Sequence, residues 1–183
     1  MPKRFDPHVA LLRGINVGGA NIVPMAALRA SFEALGLRDV STYIQSGNVL
    51  FSTDADASRL CRRVETALSK QFGYQATVVL RSRPQMQRIV ERAPEGFGTD
   101  PARYRYDVVF LKEPLLARDI LPSIPTRDGV DTAHAGDGVV YCSRSVERAS
   151  QSYLSRIVSL PQYQQMTVRN WNTTTKLLAL MER

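Results

Sequence analysis

The spacing of apolar positions changes repeatedly along the chain, and each change marks an element. Val9 to Leu12 is a short apolar run ahead of Gly14-Ile15-Asn16-Val17-Gly18-Gly19, which reads as a buried strand entering a glycine-rich loop. Pro24 is expected at the first position of a helix, where its missing N–H would be unpaired anyway. Met25, Leu28, Phe32 and Leu35 then recur every three or four residues, and Gly36 stands where a C-terminal cap belongs. Val40 to Gln45 and Val49 to Ser52 are β-branched and aromatic segments separated by Ser46-Gly47-Asn48, a hairpin signature. A helix follows from about Ser58 to Phe72, with Leu60, Val64, Leu68 and Phe72 on one face, and Ala76 to Leu80 is the next strand. The order β-α-β-β-α-β is the split βαβ, ferredoxin-like pattern with an antiparallel sheet.

Residues 81–101 carry a helix around Met86, Ile89 and Val90, followed by linker composition at Pro94, Gly96, Gly98 and Pro101. The same grammar then returns. Tyr106 to Leu111 is a strand, Pro114 to Leu121 a short helix, and Val130 to Ala135 with Val139 to Ser143 a hairpin turned by Gly136-Asp137-Gly138. Glu147 to Leu160 is predicted as a helix with Tyr153, Leu154, Ile157 and Val158 turned inward, Met166 to Arg169 as a strand, and Thr173 to Met181 as a final helix. The halves share an order of elements but no convincing residue-level repeat. The expected architecture is α+β: two ferredoxin-like (βαββαβ) units with antiparallel sheets packed together, residues 1–82 and 105–183, joined by a helix and linker at 83–104.

Composition narrows the class without naming an activity. A chain of 183 residues with 44% hydrophobic and 22% charged positions is a globular protein. No apolar run is long enough for a membrane helix, and the polar segment Met1 to Pro7 is no secretory signal. Two cysteines, Cys61 and Cys142, do not make a disulfide framework, so a cytoplasmic location is expected. The formal charge is +7, carried by 20 Arg and 4 Lys scattered along the chain. Such a surplus attracts anions.

Three stretches carry a resemblance: Leu11-Leu12-Arg13-Gly14-Ile15-Asn16-Val17-Gly18-Gly19, Thr42-Tyr43-Ile44-Gln45-Ser46-Gly47-Asn48-Val49, and Thr167-Val168-Arg169-Asn170-Trp171-Asn172-Thr173. Together they resemble the bacterial family called domain of unknown function 1697, across nearly the whole chain. The resemblance implies a bacterial cytoplasmic protein of ferredoxin-like topology and no established activity. Members commonly carry basic residues after Gly19, where Ala20 and Ile22 stand here, and Glu147-Arg148-Ala149-Ser150 departs from a more basic pattern. Both departures remove positive charge.

Gly14 and Gly19 have P-loop spacing, but Ala20 and Asn21 occupy the Lys and Ser/Thr positions, so nucleotide hydrolysis by that route is not expected. Either the glycines make a tight turn or their N–H groups meet a smaller anion. Asn172 or Thr173 is expected to cap the last helix, with Trp171 plugging the core. If the stretches converge at strand ends, Arg13, Asn16, Gly18, Gly19, Gln45, Asn48, Arg169, Asn170 and Lys176 form a polar pocket for a small phosphorylated or carboxylated ligand. On that reading, Arg169→Ala abolishes ligand binding with little loss of fold. His8 and His134 have no partner at metal-ligand spacing, no nucleophile elbow is present, and no cofactor or metal is implied. Non-specific nucleic-acid binding through Arg81, Arg83, Arg88 and Arg92 is the alternative; RNA recognition by sheet aromatics is disfavoured because Val9 to Leu12 has none. A non-catalytic interaction module, including a homo-oligomer, is the third reading, and no membrane partner is expected.

Overall fold

The computed structural model describes residues 5–182; residues 1–4, most of the polar N-terminal segment, lie outside them. The chain divides into two compact units, Met1–Met86 with Leu177–Arg183, and Gln87–Lys176. The division falls inside two helices rather than in a loop.

In the first unit β1 (Asp6–Leu12), α1 (Met25–Ala34), β2 (Arg38–Tyr43), β3 (Asn48–Thr53), α2 (Ala57–Phe72) and β4 (Val78–Ser82) follow in the predicted order. The sheet order is β2-β3-β1-β4 with every neighbour antiparallel, which is the ferredoxin-like arrangement. Period-two alternation divides its faces. Ala10, Leu12, Val49, Phe51, Val78 and Leu80 pack with Leu28 and Phe32 of α1 and with Leu60, Val64 and Leu68 of α2. The opposite face, carrying Val9, Leu11, Asn48, Val79 and Arg81, is buried too. Pro24 stands one residue earlier than expected, as the N-cap of α1, its carbonyl accepting the Leu28 N–H at 2.9 Å. Gly36, at φ +81°, follows the last helical turn as anticipated.

The second unit is built on β5 (Tyr104–Leu111), α4 (Ala117–Ile120), β6 (Asp131–Ala135), β7 (Val139–Ser145) and β8 (Met166–Asn170), in the order β6-β7-β5-β8, again antiparallel throughout. Two helices cross the division between the units: α3 (Arg83–Glu91) and α5 (Trp171–Met181). The predicted helix at 147–160 is not formed. Short 3-10 segments at Ala149–Gln151, Leu154–Ser159 and Pro161–Gln165 take its place, and Val158 is 58% exposed instead of turned inward. Side-chain oxygens have captured the N–H groups that a helix would use. Ser152 Oγ accepts from Leu154 N–H, and Asp131 Oδ2 from Tyr153 N–H at 2.8 Å.

Nor is the segment of linker composition a passive tether. Within the second unit, the Tyr141 hydroxyl donates to the Ile89 carbonyl at 2.6 Å, and Phe97 meets Tyr106, Tyr141 and Trp171 edge-on at 4.9, 5.3 and 5.1 Å. Gly98 lies under the indole, where an added Cβ would fall 2.2 Å from Trp171 Nε1.

A residue-level correspondence emerges that periodicity does not reveal. Arg81 pairs with Val9 on β4, and Arg169 pairs with Val108 on β8. Each is the fourth strand of its unit, and the two arginines are only 6% and 7% exposed. Each guanidinium donates to the carbonyl of the preceding residue at 2.8 Å, Leu80 in one unit and Val168 in the other.

Candidate functional site

The first unit brings two of the three motif stretches together. Leu12 N–H donates to the Gly47 carbonyl at 2.8 Å, and Asn16 Nδ2 donates to the Gln45 and Val23 carbonyls, both at 3.0 Å, while its Oδ1 accepts from Val23 N–H. Asn16 therefore fastens the glycine loop to the β2–β3 turn and to the entry of α1. Asn21 Nδ2 adds a bond to the Gly14 carbonyl at 2.9 Å, and Ala20 N–H closes a tight turn on Val17. That turn lies well before α1, so Gly18 and Gly19 sit at no helix N-terminus, unlike the glycines of a P-loop.

Each predicted polar residue has a definite place. Asn48 is fully buried and its Nδ2 donates to the Tyr43 carbonyl and to Ser46 Oγ, so it braces the hairpin. Arg13 is half-buried just beyond β1, its N–H bonded to the Thr77 carbonyl. Gln45, Gly18 and Gly19 are exposed. Arg169, Asn170 and Lys176 belong to the second unit. Arg169 is interior, bonded to Thr167 Oγ1 at 2.8 Å, and burial pulls its pKa down to about 10. Asn170, in place of Asn172 or Thr173, is the residue that caps α5, its Oδ1 accepting the Thr173 N–H at 2.7 Å. Lys176 is exposed on α5.

The backbone of the paired loops is unusual. Asn16, Asn21 and Ile44 all have positive φ, and Ile44 at +52° is β-branched, a conformation that such a side chain rarely adopts. Three of the large exposed apolar side chains lie in the same two loops: Val17, Ile22 and Ile44, at 65%, 75% and 50% exposure. Strained backbone and solvent-facing apolar groups thus occur beside glycine N–H groups.

A second surface escaped the reading of motifs. On α2, the face opposite Leu60, Val64 and Leu68 carries Arg59, Arg62, Arg63, Thr66 and Lys70, which with Leu35 line an open groove of about 560 Å³. Arg63 donates to the Leu35 carbonyl at 3.1 Å. The Asp56 carboxyl at the start of α2 is held below its ordinary range by the Ser58 hydroxyl, the Arg59 N–H and, more weakly, the Arg59 charge. The signal was present as helical spacing of basic residues, 59, 62, 63 and 70, complementary to the apolar stripe.

Of the arginines first considered for nucleic acid, Arg81 is buried and Arg88 pairs with Asp137 at 2.9 Å; Arg83 and Arg92 remain exposed. Cys142 is interior to the second sheet, its thiol pushed up to about 12 by burial and by the charges of Asp107 and Asp131. Among the described residues, no group of three or more His, Cys, Asp or Glu is placed to hold a metal ion, and no helix is long and apolar enough to cross a membrane.

The family model described as protein of unknown function (DUF1697) matches residues 5–141. The chain belongs to this family. A solved structure of a conserved bacterial protein from Streptococcus pneumoniae matches this DUF1697 chain with a TM-score of 0.86 and 28% sequence identity, covering 97% of this chain and 99% of that chain. No curated protein sequence matches it significantly.

Proposed function

We propose that this DUF1697 protein binds a small ligand bearing a phosphate or carboxylate at the paired loops of its first unit, residues 13–21 and 44–47. The observation that carries the reading is the Asn16 clamp, which holds the two loops together through the Gln45 carbonyl. Three side-chain bonds from one asparagine make the loop pair a preformed surface, so little ordering is needed when a ligand arrives. Outward from that clamp, the Gly18 and Gly19 amides and the Arg13 guanidinium supply attraction for an anionic group. Val17, Ile22 and Ile44 supply contact for an apolar body. The strained Ile44 supports the same surface, because strain is commonly held at ligand clamps. Asn16 and Asn48 then act by building the surface rather than by touching the ligand.

Thermal denaturation against a panel of phosphorylated and carboxylated metabolites tests this. A ligand at about 100 times its Kd adds roughly 2.7 kcal/mol, or about 5–10 °C in Tm for a chain of this size. Gln45→Ala should remove most of that shift while leaving the unliganded Tm nearly unchanged, and Arg13→Gln should remove most of it too. A panel without any shift, or shifts that survive both substitutions, would overturn the proposal; a stable homo-oligomer with a silent panel would favour an interaction module.

A further inference from the structure

The basic groove on α2 is independent of the paired loops. Arg59, Arg62, Arg63 and Lys70 recur at intervals of three, one and seven residues and lie along one side of the helix. With a rise of about 1.5 Å per residue, the row from Arg59 to Lys70 extends roughly 16 Å, the length over which one strand of a duplex presents about five phosphates. Arg63 is anchored on the Leu35 carbonyl, and none of Arg59, Arg62 and Lys70 forms an ion pair among the described residues. A charged row of this kind, with Asp56 acting only weakly on Arg59, is the footprint of a polyanion.

Its shape and composition choose among polyanions. An open groove leaves a small molecule mostly in water, where a pocket for such a ligand would enclose it, whereas an extended backbone needs only a row of contacts. No aromatic side chain lines the groove, so bases are not stacked there. A lipid surface is a poor occupant because the large apolar residues of α2 face the core, Leu60, Val64 and Leu68 buried in it and Phe72 packed against it, and only Ala67 of this helix brings an apolar side chain to the groove. We infer that the α2 face of the first unit is a sequence-independent docking surface for the phosphate backbone of a nucleic acid.

The test is fluorescence anisotropy of a labelled 20-base-pair DNA duplex and a labelled 20-nucleotide RNA, titrated with the full chain from 50 to 200 mM salt. The wild type should bind both with affinity that falls steeply with salt and varies little with base sequence. Arg59→Gln, Arg62→Gln and Lys70→Gln combined should weaken binding at 50 mM salt at least tenfold and lower the salt slope by about 2–3. A control with the same charge loss, Arg103→Gln, Arg105→Gln and Arg118→Gln, should change affinity by less than threefold. Circular dichroism of each variant verifies that its fold is intact. The inference fails if the wild type binds neither probe, or if the control weakens binding as much as the groove variant. It also fails if poly-glutamate competes as well as nucleic acid at equal charge, since the surface would then be one for acidic proteins.

Discussion

Single side chains decide how the first unit's loops are held. Gly47 is buried at φ +75°, and a Cβ there would come within 2.8 Å of Leu12 Cβ and 2.9 Å of Ile15 Cδ1. Gly47→Ala should therefore cost roughly 2–4 kcal/mol, the sum of a left-handed alanine and an overpacked contact, read from chemical denaturation. Arg169 carries the opposite lesson. Because its guanidinium is buried and bonded to Thr167 and Val168, Arg169→Ala should lose about 2–4 kcal/mol of stability rather than act only on a ligand. An unchanged melting curve for that variant would show that the buried bonds contribute nothing. Thiol chemistry offers a third check: the high pKa and burial of Cys142 predict that it reacts with a thiol reagent at pH 8 only after unfolding, whereas Cys61, partly exposed on α2, reacts in the native state. The asparagines explain why the site was harder to read than the turns. That Asn16, Asn48 and Asn170 are polar and near glycines is visible in the sequence. Whether the Asn16 amide meets a ligand or a carbonyl depends on where a backbone segment 29 residues away passes, which local spacing does not contain, whereas Asn48 and Asn170 bond within five residues and are local braces.

At the scale of elements, agreement follows the strength of the local pattern. Strands β1, β3, β5 and β7 and helix α2 have continuous apolar faces, so their positions were legible to within a few residues. The segment at 147–160 has apolar residues at helical spacing but also Ser150, Ser152 and Ser155, and it goes to short 3-10 turns where Asp131 and Ser152 hold the Tyr153 and Leu154 N–H groups. For α2 the ends are as well specified as the middle: Asp56 caps the first turn through the Arg59 N–H at 3.0 Å, and Gly73 at φ +69° closes the last. The Asp56 carboxyl is held below its ordinary value of 3.8, first by the Ser58 hydroxyl. Since the folded pKa is the lower one, its stabilisation is present above the unfolded value and lost as pH falls through the folded value. Asp56→Ala should thus lower Tm at pH 7, and the gap from wild type should close at strongly acid pH. A gap of constant size from pH 7 to pH 2 would assign the effect to something other than the charge.

In the whole molecule, two sheets of the same order repeat with little shared sequence. That order was legible because alternation and turn chemistry recur, whereas the basic row on α2 was overlooked because helical spacing had been applied to apolar positions alone. The central strands β1 and β3, and β5 and β7, pair over seven residues or nearly so, while β2 and β6 are edges. Native-state hydrogen exchange should accordingly show amides of β1, β3, β5 and β7 as the slowest in each unit and those of β2 and β6 as faster. Edge strands as protected as central ones would point to pairing partners beyond the chain.

The matched arginines reach further than stability. Arg81 and Arg169 occupy one register position on the fourth strand of each sheet, each opposite a valine of the first strand, and each holds the carbonyl of its preceding residue at the same distance. The two halves thus share a buried guanidinium in equivalent places as well as an order of strands, an internal likeness that the spacing of apolar positions does not display.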